Sequence, residues 1–492
     1  MKDWIRQELV SAELGDKRLL KRMELILDRL TESPMASIKS AFKGWAEVMG
    51  AYRFFNNVKT SVAKILKPHR DATLERVKQF KRVLVIQDTT ELDYTKKKNL
   101  EGTGPLSTIS RQGFFAHNQL VVTPERLSLG VWNTQIYARD EEEHGKKARG
   151  ERKQTPIEQK ESYRWLQGYR DACDMAQRAP GVQVIACADR EGDIYEVFEE
   201  WHRRLASGQT SAEWLIRCNQ NRRLDGDLRE DKDGQVYRKI RDEVESSPLL
   251  GTFQLRVKKK EQIKKVKGNS VKMTRSARTA QMEVRATRVT LHPPQRKGKK
   301  LPRVTFCVVM ATEKDPPKDE DPIDWVLLTS LEVREFQTAL EIVDLYAVRW
   351  EIEVFHRVLK TGCKVEELQL KKDERTKVAI ALYMVVAWRV LYLMTLGREC
   401  PTLPCDVVFE KDEWQAFWVI VHDGHPEALD EKPSLGEFVR KVAEYGGFLG
   451  RKCDGNPGPQ SIWQGLTQVR HFAIAWRVYV KKQPWASHWD TS

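Results

Sequence analysis

The sequence predicts an α/β protein whose two ends are helical, and three observations support this fold class. Short apolar runs that stop at polar residues, such as "VLVI" before "QDTT", are typical of buried strands. Longer stretches repeat apolar residues at helical spacing, and they dominate residues 1–66 and the chain beyond Leu370. From Phe253 to Leu331 several strand-like runs follow one another, which predicts an antiparallel, β-rich insertion.

The elements are predicted in the following order. Residues 1 to about 66 form helices, and strands begin at Val83. "GFFAHNQLVVT" and "LSLGVWNTQIYA" alternate like neighbouring strands that are joined by a turn. A helix is expected over 156–178, and "VQVIACADREGD" is a buried strand that runs into a loop. After the insertion, one long helix is expected over about 334–361, with Gly362 as its stop.

These patterns predict three domains. Residues 1–66 form a helical domain, residues 67–370 form the α/β domain, and residues 371–492 form a second helical domain. The β-rich insertion occupies about 215–330, inside the second of them.

The positive charge of the chain is concentrated in one place. The formal charge is +14, yet the segment from Arg256 to Arg303 alone holds 17 Lys and Arg residues against two acidic residues. Such a block favours a polyanion partner, most simply nucleic acid. The alternative is a solvated, lysine-rich loop.

Cysteine usage and hydropathy indicate the compartment. The eight cysteines form no C-x-x-C pair, which argues against a zinc cluster and fits a reducing cytoplasm. The N-terminal "MKDWIRQELV" has no apolar signal core. The longest apolar run, from Val378 to Met394, is interrupted by Arg389 and predicts a buried helix. No membrane partner is expected.

Two aspartates are placed where an active site of an α/β sheet would lie. Asp88 and Asp189 each follow a predicted buried strand, and carboxyl ends of central strands commonly carry catalytic groups. The alternative for each is a structural role as a cap or turn residue.

The predicted long helix supplies a third carboxylate. At about 100° per residue, Tyr346, Arg349, Glu353 and Lys360 share one face, whereas Glu351 points elsewhere. An apolar stripe is expected beside that face, formed by Leu340, Val343, Ala347, Trp350, Val354 and Val358. The alternative is a solvated face of weak ion pairs.

Three converging carboxylates would suit two magnesium ions. Mg²⁺ prefers oxygen ligands and is usually held by one or two carboxylates together with substrate phosphate. Paired ions can activate the attacking oxygen and stabilise the leaving oxygen of a phosphodiester. The cations beside Glu353 would then hold phosphates.

The motif residues resemble a known family. The stretch "YAVRWEIEVFHRVLK", from Tyr346 to Lys360, resembles the Y-R-E-K signature of bacterial DDE transposases of the insertion-sequence-four family. "IQDTTELDY" and "CADREGDI" resemble the two aspartate segments of that family. "GAYRFFNN", "PIDWVLLTS" and the tail "GGFLGRK" also have counterparts in the same order, so that the resemblance covers nearly the whole chain.

The resemblance implies a ribonuclease-H-like catalytic core, a DNA-binding N-terminal domain and a dimerising C-terminal domain. It implies that Asp88, Asp189 and Glu353 are both catalytic and metal-binding, with Mg²⁺ as the ion and Mn²⁺ as a substitute. It also implies a set of DNA-binding residues, with Trp325 stacking on a flipped base. The set is Tyr346, Arg349, Lys360, Trp325, Arg18, Arg22, His356 and Arg217. The alternative for Trp325 is a core tryptophan in a strand.

The implied activity is cut-and-paste transposition by a homodimer, through hydrolysis, hairpin formation and joining of the 3′ ends to target DNA. The implied location is the bacterial cytoplasm, at the nucleoid. Two alternatives are a nuclease of related fold without strand transfer and a non-catalytic DNA-binding regulator. The complete acidic set disfavours the regulator, and Trp325 together with the N-terminal domain disfavours the nuclease.

Overall fold

The computed structural model describes residues 3–108, 110–140, 155–226, 238–257, 260–266, 269–296, 300–318, 320–451 and 454–479. Parts of the basic block, at 258–259, 267–268 and 297–299, lie outside these residues, as does Cys453.

Helices and strands alternate through the middle of the chain, and the predicted α/β class is confirmed. The helices are α1 (Asp3–Glu8), α2 (Lys17–Glu32), α3 (Ile38–Ala41), α4 (Gly44–Phe55), α5 (Val62–Val77), α6 (Tyr163–Arg178), α7 (Tyr195–Ala206), α8 (Ile240–Ser246), α9 (Phe336–Ala347), α10 (Glu351–Arg357), α11 (Asp373–Glu399), α12 (Lys411–Val421), α13 (Leu435–Tyr445) and α14 (Pro459–Tyr479). The strands are β1 (Arg82–Asp93), β2 (Gly104–Pro105), β3 (Gln112–Val122), β4 (Ser128–Tyr137), β5 (Gln183–Ala188), β6 (Glu213–Arg217), β7 (Leu249–Val257), β8 (Lys260–Val266), β9 (Asn269–Arg275), β10 (Arg278–Leu291), β11 (Val304–Lys314) and β12 (Asp324–Thr329).

The chain forms two compact units. The first unit comprises Met1–Val83, Asp88–Lys146 and Trp350–Ser492, and the second comprises Leu84–Gln87 and Lys147–Arg349. Strand β1 therefore contributes to both units. The second unit contains a mixed sheet in the order β1-β5-β6-β12-β11-β10-β7, in which β5 and β6 are parallel and β12 is antiparallel to β6. The hairpin of β8 and β9 forms a separate two-stranded sheet.

The first unit joins the N-terminal helices to β2, β3 and β4 and to the C-terminal helices. Strand β3 pairs with β2 and β4 in antiparallel register, and β1 is its other neighbour. Helix α11 is buried on all sides from Val378 to Leu391, and Arg389 is the one charged residue of that segment. It is long and apolar enough to cross a membrane by length and composition, yet 94% of its most apolar window is buried inside the protein.

A buried histidine ties the N-terminal helices to this unit. His69 on α5 is 1% exposed, and its Nε2 accepts the backbone N–H of Val131 at 2.9 Å. Its Nδ1 lies 2.6 Å from Glu8 Oε2, and its ring lies 4.7 Å from that of Trp388. Because Nε2 accepts a hydrogen bond, the proton of the neutral ring sits on Nδ1 and is donated to Glu8. Arg76 also binds Glu8 and stacks on Trp388.

This arrangement predicts loss of stability in mild acid. Burial lowers the pKa of His69, because a charged ring would lose the Val131 bond and solvation. A lowered histidine pKa contributes stability that is full above the unfolded value of about 6.5 and is lost as the pH falls below it. The free energy of unfolding, measured with urea, should fall by about 1–2 kcal/mol between pH 7 and pH 5.5. His69→Gln should flatten this slope, and an unchanged slope in the variant would contradict the assignment.

Candidate active site and nucleic-acid interface

Asp189 begins the candidate site in the second unit. It follows β5 directly, as predicted, because the buried strand ends at Ala188. Its Oδ1 accepts the backbone N–H of Glu191 at 2.8 Å and caps a short 3₁₀ turn from Arg190 to Gly192. The side chain is half-buried and forms no ion pair with any described residue. A backbone hydrogen bond therefore fixes the position of the Asp189 carboxylate, and its negative charge is available to bind a cation.

The two residues that end this turn fix it in place. A Cβ on Gly192 would lie 2.5 Å from Ala188 Cβ and 3.0 Å from Trp165, so that only glycine allows this approach. Asp193 is 1% exposed and accepts the backbone N–H groups of Asn219 and Gln220 at 2.7 and 2.8 Å. Neither residue was predicted from the sequence. The available signal was their place in "DREGD", directly after the candidate catalytic aspartate.

Gly192→Ala is therefore expected to destabilise the protein by about 1–3 kcal/mol, because the new methyl group overlaps Ala188. The change should also displace Asp189 and reduce the DNA cleavage that the resemblance implies. Thermal unfolding and a cleavage assay measure the two effects. Gly458→Ala is the matched control, since nothing lies within 4 Å of a Cβ at that position. Equal melting temperatures for the two variants would refute the close packing.

Cations gather around Tyr346 in the same unit. Tyr346 is 6% exposed, and burial raises the pKa of its phenol, which stays a neutral O–H donor. Cys187, Arg349, Arg217 and Asp189 all lie close enough to act electrostatically on it. The structure thus brings together four residues that the sequence predicted for the site, namely Tyr346, Arg349, Arg217 and Asp189.

The guanidinium of Arg217 has few internal partners. Its Nη2 donates to the backbone carbonyl of Asp324 at 3.0 Å, and its Nε is buried without a hydrogen-bond partner among the described residues. The carboxylate of Asp324 is held instead by Arg241, at 2.8 and 3.0 Å. Burial lowers the pKa of Arg217, and the positive charges of Arg190 and Arg349 lower it further. Clustered guanidinium groups of this kind suit a phosphate.

Trp325 belongs to the same cluster. It lies near the start of β12, two residues before Leu327, which pairs with Arg217. Its ring meets that of Tyr346 edge-on, with centroids 6.4 Å apart. Trp325 is half-buried, so that part of its ring remains accessible, unlike that of a core tryptophan.

Asp88 lies in the first unit, and its place differs from the prediction. It lies inside β1 rather than at its end, because only the buried part of the strand stops at Gln87 while the polar residues after it stay extended. Thr89 Oγ1 and His117 Nδ1 on β3 are 2.9 Å apart, so these two side chains share one face of the sheet. Asp88 therefore projects from the opposite face.

Glu353 lies over that opposite face. The side chain after His117 is Asn118, whose Nδ2 is 3.0 Å from Nε2 of His356 on α10. Glu353 lies three residues before His356 and thus on the same side of the helix. Asp88 and the helix that carries Glu353 therefore occupy the same face of the strands in the first unit.

The other two predicted residues of this helical region have partners inside the unit. His356 is 7% exposed and orients α10 on β3, and a direct DNA contact by this residue stays a prediction. Lys360 Nζ donates to the carbonyl of Glu91 at 2.8 Å and lies 3.4 Å from Glu366 Oε1. Its half-buried ammonium is thus held beside the segment of β1 that follows Asp88.

The helical stretch predicted over about 334–361 is confirmed in extent, since it runs from Phe336 to Gly362, but it is not one regular α-helix. Helix α9 ends at Ala347, a 3₁₀ turn spans Val348–Trp350, and a π turn from Val358 to Gly362 follows α10. The predicted apolar stripe is not continuous either, because its member Trp350 is 44% exposed. Glu351 does point elsewhere, because it is buried and binds Arg126 at 2.9 Å.

Arg18 and Arg22 lie at the start of α2, where the aspartate that precedes the helix caps it. The Arg18 side chain is 92% exposed and reaches Asp16 at 3.1 Å. Arg22 is half-buried and lies across Gly50 of α4, where a Cβ would collide with its guanidinium. The guanidinium of Arg18 is thus accessible to a ligand, whereas that of Arg22 is packed against Gly50.

The donor chemistry of the three carboxylates fits a divalent ion. Asp88, Asp189 and Glu353 are all half-buried and offer oxygen ligands, which Mg²⁺ and Mn²⁺ prefer. Among the described residues, no three His, Cys, Asp or Glu side chains are grouped closely enough to hold a metal ion by themselves. A complete protein cage is not required, because Mg²⁺ is commonly held by one or two carboxylates, water and substrate phosphate.

Family models match three successive parts of the chain. Residues 1–60 match a transposase DNA-binding model, residues 175–388 match a transposase DDE domain, and residues 385–482 match a Tn5 transposase dimerisation domain. The DDE match includes Asp189 and Glu353, whereas Asp88 lies outside all three ranges.

The fold, the cation cluster and these matches define a DNA transposase, an enzyme that cleaves phosphodiester bonds and transfers strands. It binds DNA and forms dimers. The chain is a Tn5-like DDE transposase. The ribonuclease-H-like DDE domain flanked by DNA-binding and dimerisation domains is confirmed, and divalent ions are general in such domains. The boundaries 1–66, 67–370 and 371–492 stay predictions.

Proposed function

We propose that this transposase moves its element by cut-and-paste, through hydrolysis at each end, hairpin formation, hairpin opening and joining to target DNA. Asp88, Asp189 and Glu353 are the proposed catalytic set, Mg²⁺ is the proposed ion, and Mn²⁺ substitutes for it. We place the reaction in the bacterial cytoplasm, at the nucleoid. The reaction depends on positioning and charge stabilisation, because all four steps are in-line displacements at phosphorus.

The carboxylates and cations have separate tasks in this proposal. A divalent ion supplies charge neutralisation at the reacting phosphate and makes water or a 3′ hydroxyl a better nucleophile. Arg217 and Arg349 hold the phosphate backbone beside Asp189, and the neutral Tyr346 hydroxyl donates a hydrogen bond to it. Lys360 binds the phosphate backbone beside Asp88. Its ammonium group is positioned there by the hydrogen bond that it donates to the carbonyl of Glu91.

Trp325 carries the proposed hairpin step. Closing a hairpin requires a sharp reversal of one strand at its end, and extruding a base from the stack makes room for that reversal. Trp325 is half-exposed and braced edge-on by Tyr346, so that its remaining face can stack on such a base.

The observation that carries the proposal is the convergence of Trp325, Tyr346, Arg349 and Arg217 on Asp189 within one unit. A nuclease that only hydrolyses a strand needs the carboxylate and a phosphate-binding cation. The stacking tryptophan beside the cation cluster favours strand reversal as well.

The test uses the full chain with linear DNA that carries the sequences bordering its own gene. Denaturing gels should show nicks, then hairpins and joined products with Mg²⁺ or Mn²⁺, and none of these with EDTA. Plain cleavage without hairpins would favour a nuclease, and binding without cleavage would favour a regulator. Either outcome would overturn the proposed pathway.

Trp325→Ala should slow hairpin formation by about tenfold or more while the first nick stays within about threefold of wild type. The reason is that base stacking contributes about 1–3 kcal/mol to the flipped state alone. Single-turnover assays separate the two steps. Trp201→Ala is the control, because this tryptophan of the same unit is also half-buried but its ring packs on Trp214 and not on Tyr346. Equal slowing of nick and hairpin by Trp325→Ala would refute the stacking role.

A further inference from the structure

A cavity of about 700 Å³ lies in the first unit, away from every candidate active-site residue. Residues from α1, α11, α14 and the segment around the start of α12 form its wall. The apolar and aromatic part of the lining is Trp4, Tyr392, Leu393, Val407, Val408, Phe409, Leu466 and Val469. Two arginines, Arg389 and Arg470, also line it, and we call it the Arg470 cavity.

Arg470 is the unusual member of this wall. It lies on α14, is 6% exposed, and makes no hydrogen bond or ion pair with any described residue. Its Nη1 is shielded from solvent without a partner. A buried guanidinium without partners is costly to a fold, and such orphaned donors in native proteins commonly mark a site for an ion, water or ligand. Burial lowers the pKa of Arg470 for the same reason.

The acidic side chains of the wall are already engaged. Asp406 pairs with Lys432, while Glu410 and Asp412 bind Arg477 at 3.2 and 2.8 Å. Asp3 lies 3.5 Å from Arg6. Glu413 accepts the backbone N–H of Glu410 in the cap of α12 and is the largest negative influence on Arg470, although it makes no ion pair with it. The lining also includes Lys411. Lys432 and Arg477 each form an ion pair, whereas Arg470 forms none with a described residue, and the charges of Glu413, Glu32 and Asp28 act on it without direct contact.

Arg389 completes the cationic end of the cavity. Its Nη2 donates to the carbonyl of Val408 at 2.8 Å, and its guanidinium lies 5.1 Å from the ring of Trp4 and 5.6 Å from that of Tyr392. Burial lowers the pKa of Arg389 to about 10. A second buried guanidinium thus stands beside aromatic rings, with donors to spare after its single bond.

We propose that the Arg470 cavity binds a small organic anion, in which a carboxylate or phosphate group meets Arg470 and an apolar body meets Trp4 and Tyr392. Arginine forms paired hydrogen bonds with planar oxyanions, and this pairing is stronger where water is excluded. The apolar lining matches the usual composition of small-molecule sites. The site is independent of DNA and of the proposed catalytic residues.

The test uses the full chain without DNA, with sodium benzoate and sodium phosphate as probes and sodium chloride at equal ionic strength as the reference. Calorimetry should show saturable one-to-one binding of benzoate, with phosphate weaker because it lacks the apolar body. Both probes should raise the melting temperature above that in chloride. The absence of saturable binding of either probe to the wild-type protein would overturn the proposal, whatever the variants do.

Arg470→Gln should weaken benzoate binding by at least about tenfold, since a charge-assisted pair is lost. Without ligand the variant should be no less stable than wild type, because it removes an unpaired buried charge. Arg440→Gln, on the exposed surface of α13, is the matched control and should bind as wild type does. A variant Arg470→Gln that is destabilised yet binds benzoate normally would show that Arg470 has only a structural role. Arg389→Lys gives a second test and should weaken binding while keeping the positive charge.

Discussion

Glu353→Ala is expected to abolish cleavage at transposon ends while leaving binding of the ends largely unchanged. The change removes one carboxylate that is proposed to hold the divalent ion, and such ions provide several kcal/mol of transition-state stabilisation. At about 1.4 kcal/mol per factor of ten, the cleavage rate should fall by about 10³-fold or more. Binding depends on cations and should persist, because Glu353 makes no phosphate contact in this mechanism.

The control for this variant is another acid of the first unit. Glu367→Ala changes the net charge by the same amount, because it also removes a glutamate. The Glu367 side chain is 68% exposed and lies after the π turn. Cleavage in Mg²⁺ and gel-shift binding in EDTA should be measured for both variants. Cleavage by Glu353→Ala at a rate comparable with that of Glu367→Ala would remove Glu353 from the catalytic set.

The apolar runs predicted the buried parts of the strands but not their full lengths. "VLVI" marks the segment of β1 that is buried on both faces, and Asp189 was correctly placed after the buried strand β5. Strand β1 continues through Asp88 to Asp93 because its polar half is still hydrogen-bonded to a neighbour, and hydropathy carries no record of that pairing.

Helical arithmetic failed for a related reason. A constant 100° per residue assumes one unbroken helix, and the turns around Val348 and after Val358 change the rotation on either side of Glu353. Tyr346 and Arg349 converge with Arg217 on Asp189, and neighbours that lie over 100 positions away in sequence decide that convergence.

The contacts that the sequence concealed are pairings between distant residues. His69 and Glu8 are 61 positions apart, and no local pattern links them. Arg470 is similar, because an arginine among the apolar residues of a helix predicts burial of its stem but not the loss of every partner. Such features follow from how elements pack, which composition and spacing leave open.

Asp193→Ala should be the most destabilising single change near the site, at about 3–5 kcal/mol. Asp193 accepts two backbone N–H groups and binds Arg222, whose side chain is only 9% exposed. Alanine would leave that guanidinium buried without its counter-ion. Glu245→Ala breaks the surface pair with Arg241 and should cost about 1 kcal/mol or less. Urea unfolding of the full chain compares the two, and similar losses would contradict a buried pair.

A double-mutant cycle separates the ion pair from the backbone bonds of Asp193. Arg222→Met removes the buried cation, so that adding Asp193→Ala to it should cost less than Asp193→Ala alone. The difference is the coupling energy of the pair. The stability that Asp193→Ala still costs in the Arg222→Met background measures the two backbone hydrogen bonds. In the double variant the N–H groups of Asn219 and Gln220 have lost their acceptor. Since Asn219 follows Arg217 by two residues, the loosened loop should also weaken end binding, and by a larger factor at low salt than at high salt, because a lost phosphate contact reduces the salt dependence. Full additivity of the two substitutions would mean that Asp193 fixes this loop through its backbone bonds alone.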